Sequence, residues 1–154
     1  MNRRFLEYWG YIAELVAAML AVLLPSIYFG VSAVTNFVRS FATDMATIVC
    51  AGVFAASIAF LVAFYSKSGT AFYRWLDEKG AFDVYRRATG FAVLVSFLST
   101  VSMLTLKIVG GNAMALISAF LFILMLLNLY TLIQNVFGLM RLNNLFNKNS
   151  DKDN

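Results

Sequence analysis

The chain has 154 residues, of which 61% are hydrophobic and 13% charged, against roughly 45–50% apolar and about 25% charged in an ordinary soluble domain. Histidine is absent and Cys50 is the one cysteine, which excludes an intrachain disulfide, zinc, iron–sulfur and haem sites of the usual ligation, and Ser-His-Asp or Cys-His nucleophiles. The net charge of +4 is modest and the basic residues flank apolar runs, which points to lipid headgroups as their counterpart and not to nucleic acid.

Four runs, 15–38, 45–66, 88–106 and 108–140, contain no Asp, Glu, Lys or Arg. A helix rises about 1.5 Å per residue and a hydrocarbon core is about 30 Å thick, so roughly 20 apolar residues make a span. The pattern predicts an all-α fold: one membrane domain over 1–154, a four-helix transmembrane bundle with short amphipathic cytoplasmic helices. With the usual catalytic and ligand sets missing, neither an enzyme nor a cofactor is expected.

The first span is predicted over 11–34. Arg3 and Arg4 precede it as in a signal peptide, but the apolar run is longer than an h-region of about 7–15 residues and Glu7 and Glu14 interrupt the approach to it, so it reads as a retained helix. Pro25 lies inside and predicts a kink. Glu14 is an intramembrane carboxylate near the cytoplasmic end, with Arg86 or Arg87 within reach as partners. After a turn near 35–41 the second span covers 42–65. Small residues recur every four positions in both helices, at Ala13, Ala17 and Ala21, then at Gly52 and Ala56 and at Ala55, Ala59 and Ala63. Such rows let backbones approach closely, either inside one bundle or between copies.

The connection 66–90 interleaves Phe72, Tyr73, Trp75, Phe82 and Tyr85 with Arg74, Asp77, Glu78, Lys79, Asp83, Arg86 and Arg87. Lys79-Gly80 reads as a helix stop, so a helix over 70–79 should be followed by a second leading into the third span. Nearly balanced charge with aromatic anchors suits a protein-docking surface built on Phe72, Arg74, Trp75, Phe82, Tyr85, Arg86 and Arg87, or a helix lying on the membrane. The third span, 91–109, carries Ser96, Ser99, Thr100, Ser102 and Thr105. These hydroxyls either line a water path, with Ser96, Ser99 and Thr100 foremost, or bond to their own helix carbonyls. Asp44 begins the second span and Lys107 ends the third on the same side, where they either pair, with Arg39 as a competing partner for Asp44, or cap and snorkel at the interface.

The fourth span is predicted over 113–133 and a cytoplasmic tail over 134–154. The 33-residue run would measure about 50 Å as one helix, and Asn128, Gln134 and Asn135 mark an exit near Ile133. Val136, Leu139, Met140 and Phe146 then form an imperfect apolar stripe, and 147–154 is expected to be disordered. Tyr8, Trp9, Tyr65 and Phe91 suit headgroup depth.

Arg3, Arg4, Lys67, Arg74, Lys79, Arg86, Arg87, Arg141, Lys148 and Lys152 fall on one side of this plan, Arg39 and Lys107 on the other. The positive-inside bias places both termini and the 66–90 connection in the cytoplasm, in an inner (plasma) membrane. In architecture, with four spans, inward termini and no catalytic set, the chain resembles the membrane subunits of bacterial phage-defence systems of the Kiwa type. That resemblance implies an oligomeric membrane sensor or scaffold that recruits a cytosolic protein in antiviral defence. An oligomeric pore lined by the third-span hydroxyls is the alternative. The segment Ile12-Ala13-Glu14-Leu15 resembles the first helix of the small multidrug resistance transporters and implies a third role, transport at Glu14. Against it, Trp9 and Trp75 both lie outside the spans and the one-sided charge disfavours dual insertion.

Overall fold

In the computed structural model, backbone structure is described for residues 3–150 and side chains for 9–148. Every element among them is helical: α1 (Arg3–Phe29), α2 (Val31–Asp44), a π-helical stretch (Met45–Cys50), α3 (Ala51–Ser66), α4 (Ala71–Glu78), α5 (Phe82–Val109) and α6 (Asn112–Ser150). Four helical rods are long and apolar enough to cross a membrane: Trp9–Phe29, Val31–Ser66, Phe82–Val109 and Asn112–Lys148.

Two of the three breaks between rods fall at glycines in apolar surroundings, Gly30 and Gly110-Gly111, and the third is the polar connection 67–81. Gly30 takes φ 86°, a conformation that costs a side-chain-bearing residue, and its carbonyl accepts from Ala33 and Val34 to start α2. The first helix therefore ends at Phe29, short of the predicted Val34. The expected turn at 35–41 is instead α2 itself, because nothing from Val31 to Asp44 interrupts a helix; Arg39 alone does not. Pro25 sits within α1 without ending it. At the opposite sequence end Gly110 and Gly111, at φ 67° and 85°, reverse the chain in two residues between α5 and α6.

The second rod, Val31–Ser66, is one helix of 36 residues whose π stretch replaces α geometry over Met45–Cys50. The Thr47 hydroxyl donates to the Thr43 carbonyl at 2.8 Å, competing for an acceptor the backbone ladder would use, and Thr47, Ile48 and Val49 are a β-branched run that crowds an α turn. Helix α4 closely follows the predicted 70–79 helix, ended by Gly80 at φ 66°. The second short helix expected after it is the beginning of α5, which starts at Phe82 and not at 91.

The largest departure is α6. It runs unbroken for 39 residues, about 58 Å, so the predicted span and tail form one helix with no break at Ile133. Asn128 bonds back to Leu124 O at 3.0 Å, and Gln134 and Asn135 continue the helix. Asn147–Ser150 is helical against the expected disorder; the rest of that expectation, 151–154, and the anchor at Tyr8 lie outside the described residues.

The main core is built where α5 and α6, the most extensive pairing, meet α1, α2 and the π stretch. Ala18, Ala42, Ala46, Ala115 and Ala119 are at most 6% exposed and let the helices close on Val95, Met103, Leu106, Leu124 and Met125. A second, aromatic core lies at the far end of the bundle, where Phe64, Phe72, Leu76 and Leu139 are buried together.

Candidate functional site

Helix α4 has eight residues, too few to be stable alone in water. It is held by Phe72 and Leu76, its two buried side chains four positions apart, which enter the aromatic core. Phe64 at the end of α3 stacks on Phe82 (centroids 4.9 Å, planes 13° apart) and meets Tyr73 edge-on at 5.2 Å. Phe72 and Trp75 both contact Phe146 of α6, at 5.8 and 5.6 Å. The Tyr85 hydroxyl lies over Gly138, where a Cβ would stand 3.9 Å from it. Burial raises the Tyr73 phenol above its ordinary value of 10.0.

This arrangement corrects the expected docking set. Phe72 is 5% exposed, and Trp75, Phe82 and Tyr85 are half-buried in the chain's own core, because the tail continues as helix and brings Leu139, Leu142 and Phe146 beneath them. What remains outward is charge. Arg74, Asp77, Glu78, Arg86 and Arg87 are exposed; Arg86 pairs with Asp83 at 2.7 Å and Arg87 Nε donates to Asp83 O at 3.3 Å. Beside this rim α6 exposes Phe137 (62%) and Met140 (59%), and a cleft of about 300 Å³ opens between α3 and α6, lined by Phe60, Lys67, Val136 and Asn143 among others. Sequence reasoning missed Phe64, Leu139 and Phe146 as partners of α4; the apolar stripe in the tail was the signal.

The small-residue rows point outward. Ala13, Ala17 and Ala21, and Gly52, Ala56, Ala59 and Ala63, are all exposed, so they do not close the bundle; Ala42-Ala46-Cys50 and Ala115-Ala119 do. Four-residue spacing identifies a row without saying which way it faces.

Ser96, Ser99 and Ser102 of the third span turn inward, Thr100 and Thr105 are half-buried, and all five have hydrogen-bond partners. Ser96, fully buried, donates to Ala92 O or Val93 O (2.8 and 2.9 Å), Thr100 to Ser96 O at 2.8 Å and Thr105 to Val101 O at 2.8 Å. Ser99 lies 3.5 Å from Cys50 Sγ, and Ser102 2.7 Å from Ser118 Oγ. Of the expected pore-lining set, Ser96 and Ser99 are buried within the chain, and Ser96 and Thr100 bond to a carbonyl one turn back, the nearest acceptor in an apolar helix.

Three buried polar atoms lack a partner among the described residues: Glu14 Oε2, Arg39 Nε and Ser57 Oγ. Glu14 Oε1 accepts from Thr131 Oγ1 at 2.6 Å, while Oε2 is buried without a partner; Thr131 replaces the expected Arg86 or Arg87, which lie with Asp83. Arg39 Nη2 donates to Asn112 Oδ1 at 2.8 Å, and its Nε is buried without a partner. Arg39 therefore does not take Asp44. Nor does Lys107: both Asp44 and Lys107 are exposed, and neither forms an ion pair among the described residues. Among the described residues no three His, Cys, Asp or Glu converge on a site for a metal ion.

No protein-family model, no curated protein and no solved structure matches the chain.

Proposed function

We propose that the chain crosses an inner membrane four times with both termini inside, self-associates, and serves as a non-enzymatic scaffold or sensor that recruits a cytosolic protein. Phage defence is the setting that its architectural resemblance suggests. The observation that supports this reading is the α4–α6 platform: α6 is nearly twice as long as a 30 Å hydrocarbon core requires, and its excess holds α4 in place with a charged rim turned outward. A rim of Arg74, Asp77 and Glu78 offers specificity through charge, and the cleft beside it, apolar with Lys67 and Asn143 at its edge, offers contact area.

Two measurements test it. Cysteine labelling of intact cells should fail at position 79 and succeed at position 111; external labelling at 79 would invert the platform and end the reading. A photo-crosslinker at Arg74 should then capture one discrete soluble protein in cells, and capture should vanish when Arg74 and Glu78 are charge-reversed while insertion is unchanged. Crosslinks to lipid or to the chain alone would refute recruitment. A second reading, transport at Glu14, draws on the unpartnered Oε2: Glu14→Gln would then abolish cation-coupled proton flux into vesicles. Flux that is absent from the unmodified protein, or unaffected by the substitution, would remove it.

A further inference from the structure

Asp44 and Lys107 are the two exposed charges that the bundle leaves without an ion pair near its Gly110 end, and their placement identifies what covers them. We propose that a second copy of this chain docks on the outer face of α2–α3, with Asp44 of one copy paired to Lys107 of the next. The inference rests on the membrane-spanning, self-associating reading above and specifies its interface.

The π stretch is the first argument. A π turn takes up about one residue more than an α turn, which sets α2 back by roughly 100° relative to α3. In an unbroken α-helix Asp44 would stand about 80–120° away from Gly52 and Ala56. With the set-back it heads the same face as Gly52, Ala56, Ala59 and Ala63, all of them exposed. The register change therefore aligns one carboxylate with one smooth row on the outside of the bundle.

Depth is the second. Copies related by rotation about the membrane normal keep every residue at its own depth, so only groups at equal depth meet. Cys50 Sγ and Ser99 Oγ, 3.5 Å apart, fix the level of the second rod against α5. From there Asp44 lies about 7 Å, across the shorter rise of the π stretch, and Lys107 about 12 Å toward the Gly110 end, a difference a lysine side chain spans. Desolvation makes the pairing worthwhile: Lys107 reaches headgroup depth by extending, but the short Asp44 side chain does not snorkel.

The test uses two full-length chains with different tags, both carrying Cys50→Ala, coexpressed in one membrane. One carries Asp44→Cys and the other Lys107→Cys. A short bismaleimide, which restores the reach of the lysine side chain that was removed, should join them as a mixed pair, whereas a chain with Ile27→Cys, exposed on α1, should not join the Lys107→Cys chain. No mixed pair, or equal joining with the Ile27 control, overturns the contact. In mild detergent, Asp44→Lys and Lys107→Asp should each reduce the oligomer to smaller species at unchanged helix content, and the two together should restore it. A double variant that stays dissociated overturns the pairing even where each single variant has perturbed folding. An oligomer lacking the mixed crosslink sinks this contact and leaves self-association standing; an unmodified chain that is monomeric in detergent and in bilayer discs sinks both.

Discussion

Leu76→Ala isolates the force that holds α4. Leu76 is 1% exposed, and with Phe72 it is the only buried side chain of an eight-residue helix. Truncating a buried leucine removes its transfer free energy and leaves a cavity, together about 2–5 kcal/mol. Leu76 packs with Phe64 of α3 and Leu139 of α6 in a cluster separate from the main core, so the loss falls mainly on the docking of α4 and appears as local opening. Even 2 kcal/mol raises the open population about 30-fold. The reporters are backbone amides within and just after α4, such as Arg74 N–H donating to Thr70 O at 3.0 Å and Lys79 N–H donating to Trp75 O at 3.2 Å. Amide hydrogen exchange in detergent micelles should speed up across Ala71–Glu78 by about 30-fold or more, with α5 below Phe91 and the first half of α6 unchanged. Exchange within threefold of the unmodified protein would show that α4 is held by something other than the aromatic core. Uniform acceleration through the spans would show that α4 is part of one cooperative unit with them.

Three further outcomes follow from named contacts. Asn112→Ala removes the acceptor of Arg39, whose Nε already lacks one; a charged donor losing its partner costs about 1.5 kcal/mol, the lower figure because the pair is open to solvent, and a thermal melt unchanged from the parent would refute it. Thr131→Val leaves both Glu14 oxygens unmatched and should cost about 2 kcal/mol, while adding Glu14→Leu should recover most of it, since replacing both partners by apolar groups is nearly neutral; equal stability of the single and double variants would contradict the assignment. Tyr73 has its phenol pKa raised above 10.0 by burial, so its neutral form is the one the fold accommodates. Its contribution is complete below pH 10 and is lost as pH rises through the raised value. The difference in absorbance titration between the parent and Tyr73→Phe should show late ionisation, with α4 exchange rising in step; ionisation at or below pH 10 would refute it.

Composition and charge-free run length were enough to read four long apolar helices, because that requirement is one-dimensional: a rod needs a length and a polarity, and both are printed in the chain. Gly80 was legible as a stop for the same reason, since a residue without Cβ is the cheapest place to reverse a helix. Gly30 was not, because apolar residues on both sides made it look like the interior of one span. Facing was decided only by the tertiary structure. On a soluble helix, polarity separates inside from outside; on Ala51–Ser66 nearly every side chain is apolar, and lipid accepts them as readily as a neighbouring helix does. Which alanines are buried then depends on shape, so Ala42 and Ala46 pack while Ala56 and Ala59 do not. The platform needed one more fact that no local pattern contains. Asn128, Gln134 and Asn135 mark falling hydrophobicity but do not break a helix, and it is the unbroken course of α6 that brings Leu139 and Phe146 to Phe72 and Trp75 and turns a row of aromatic anchors into a core.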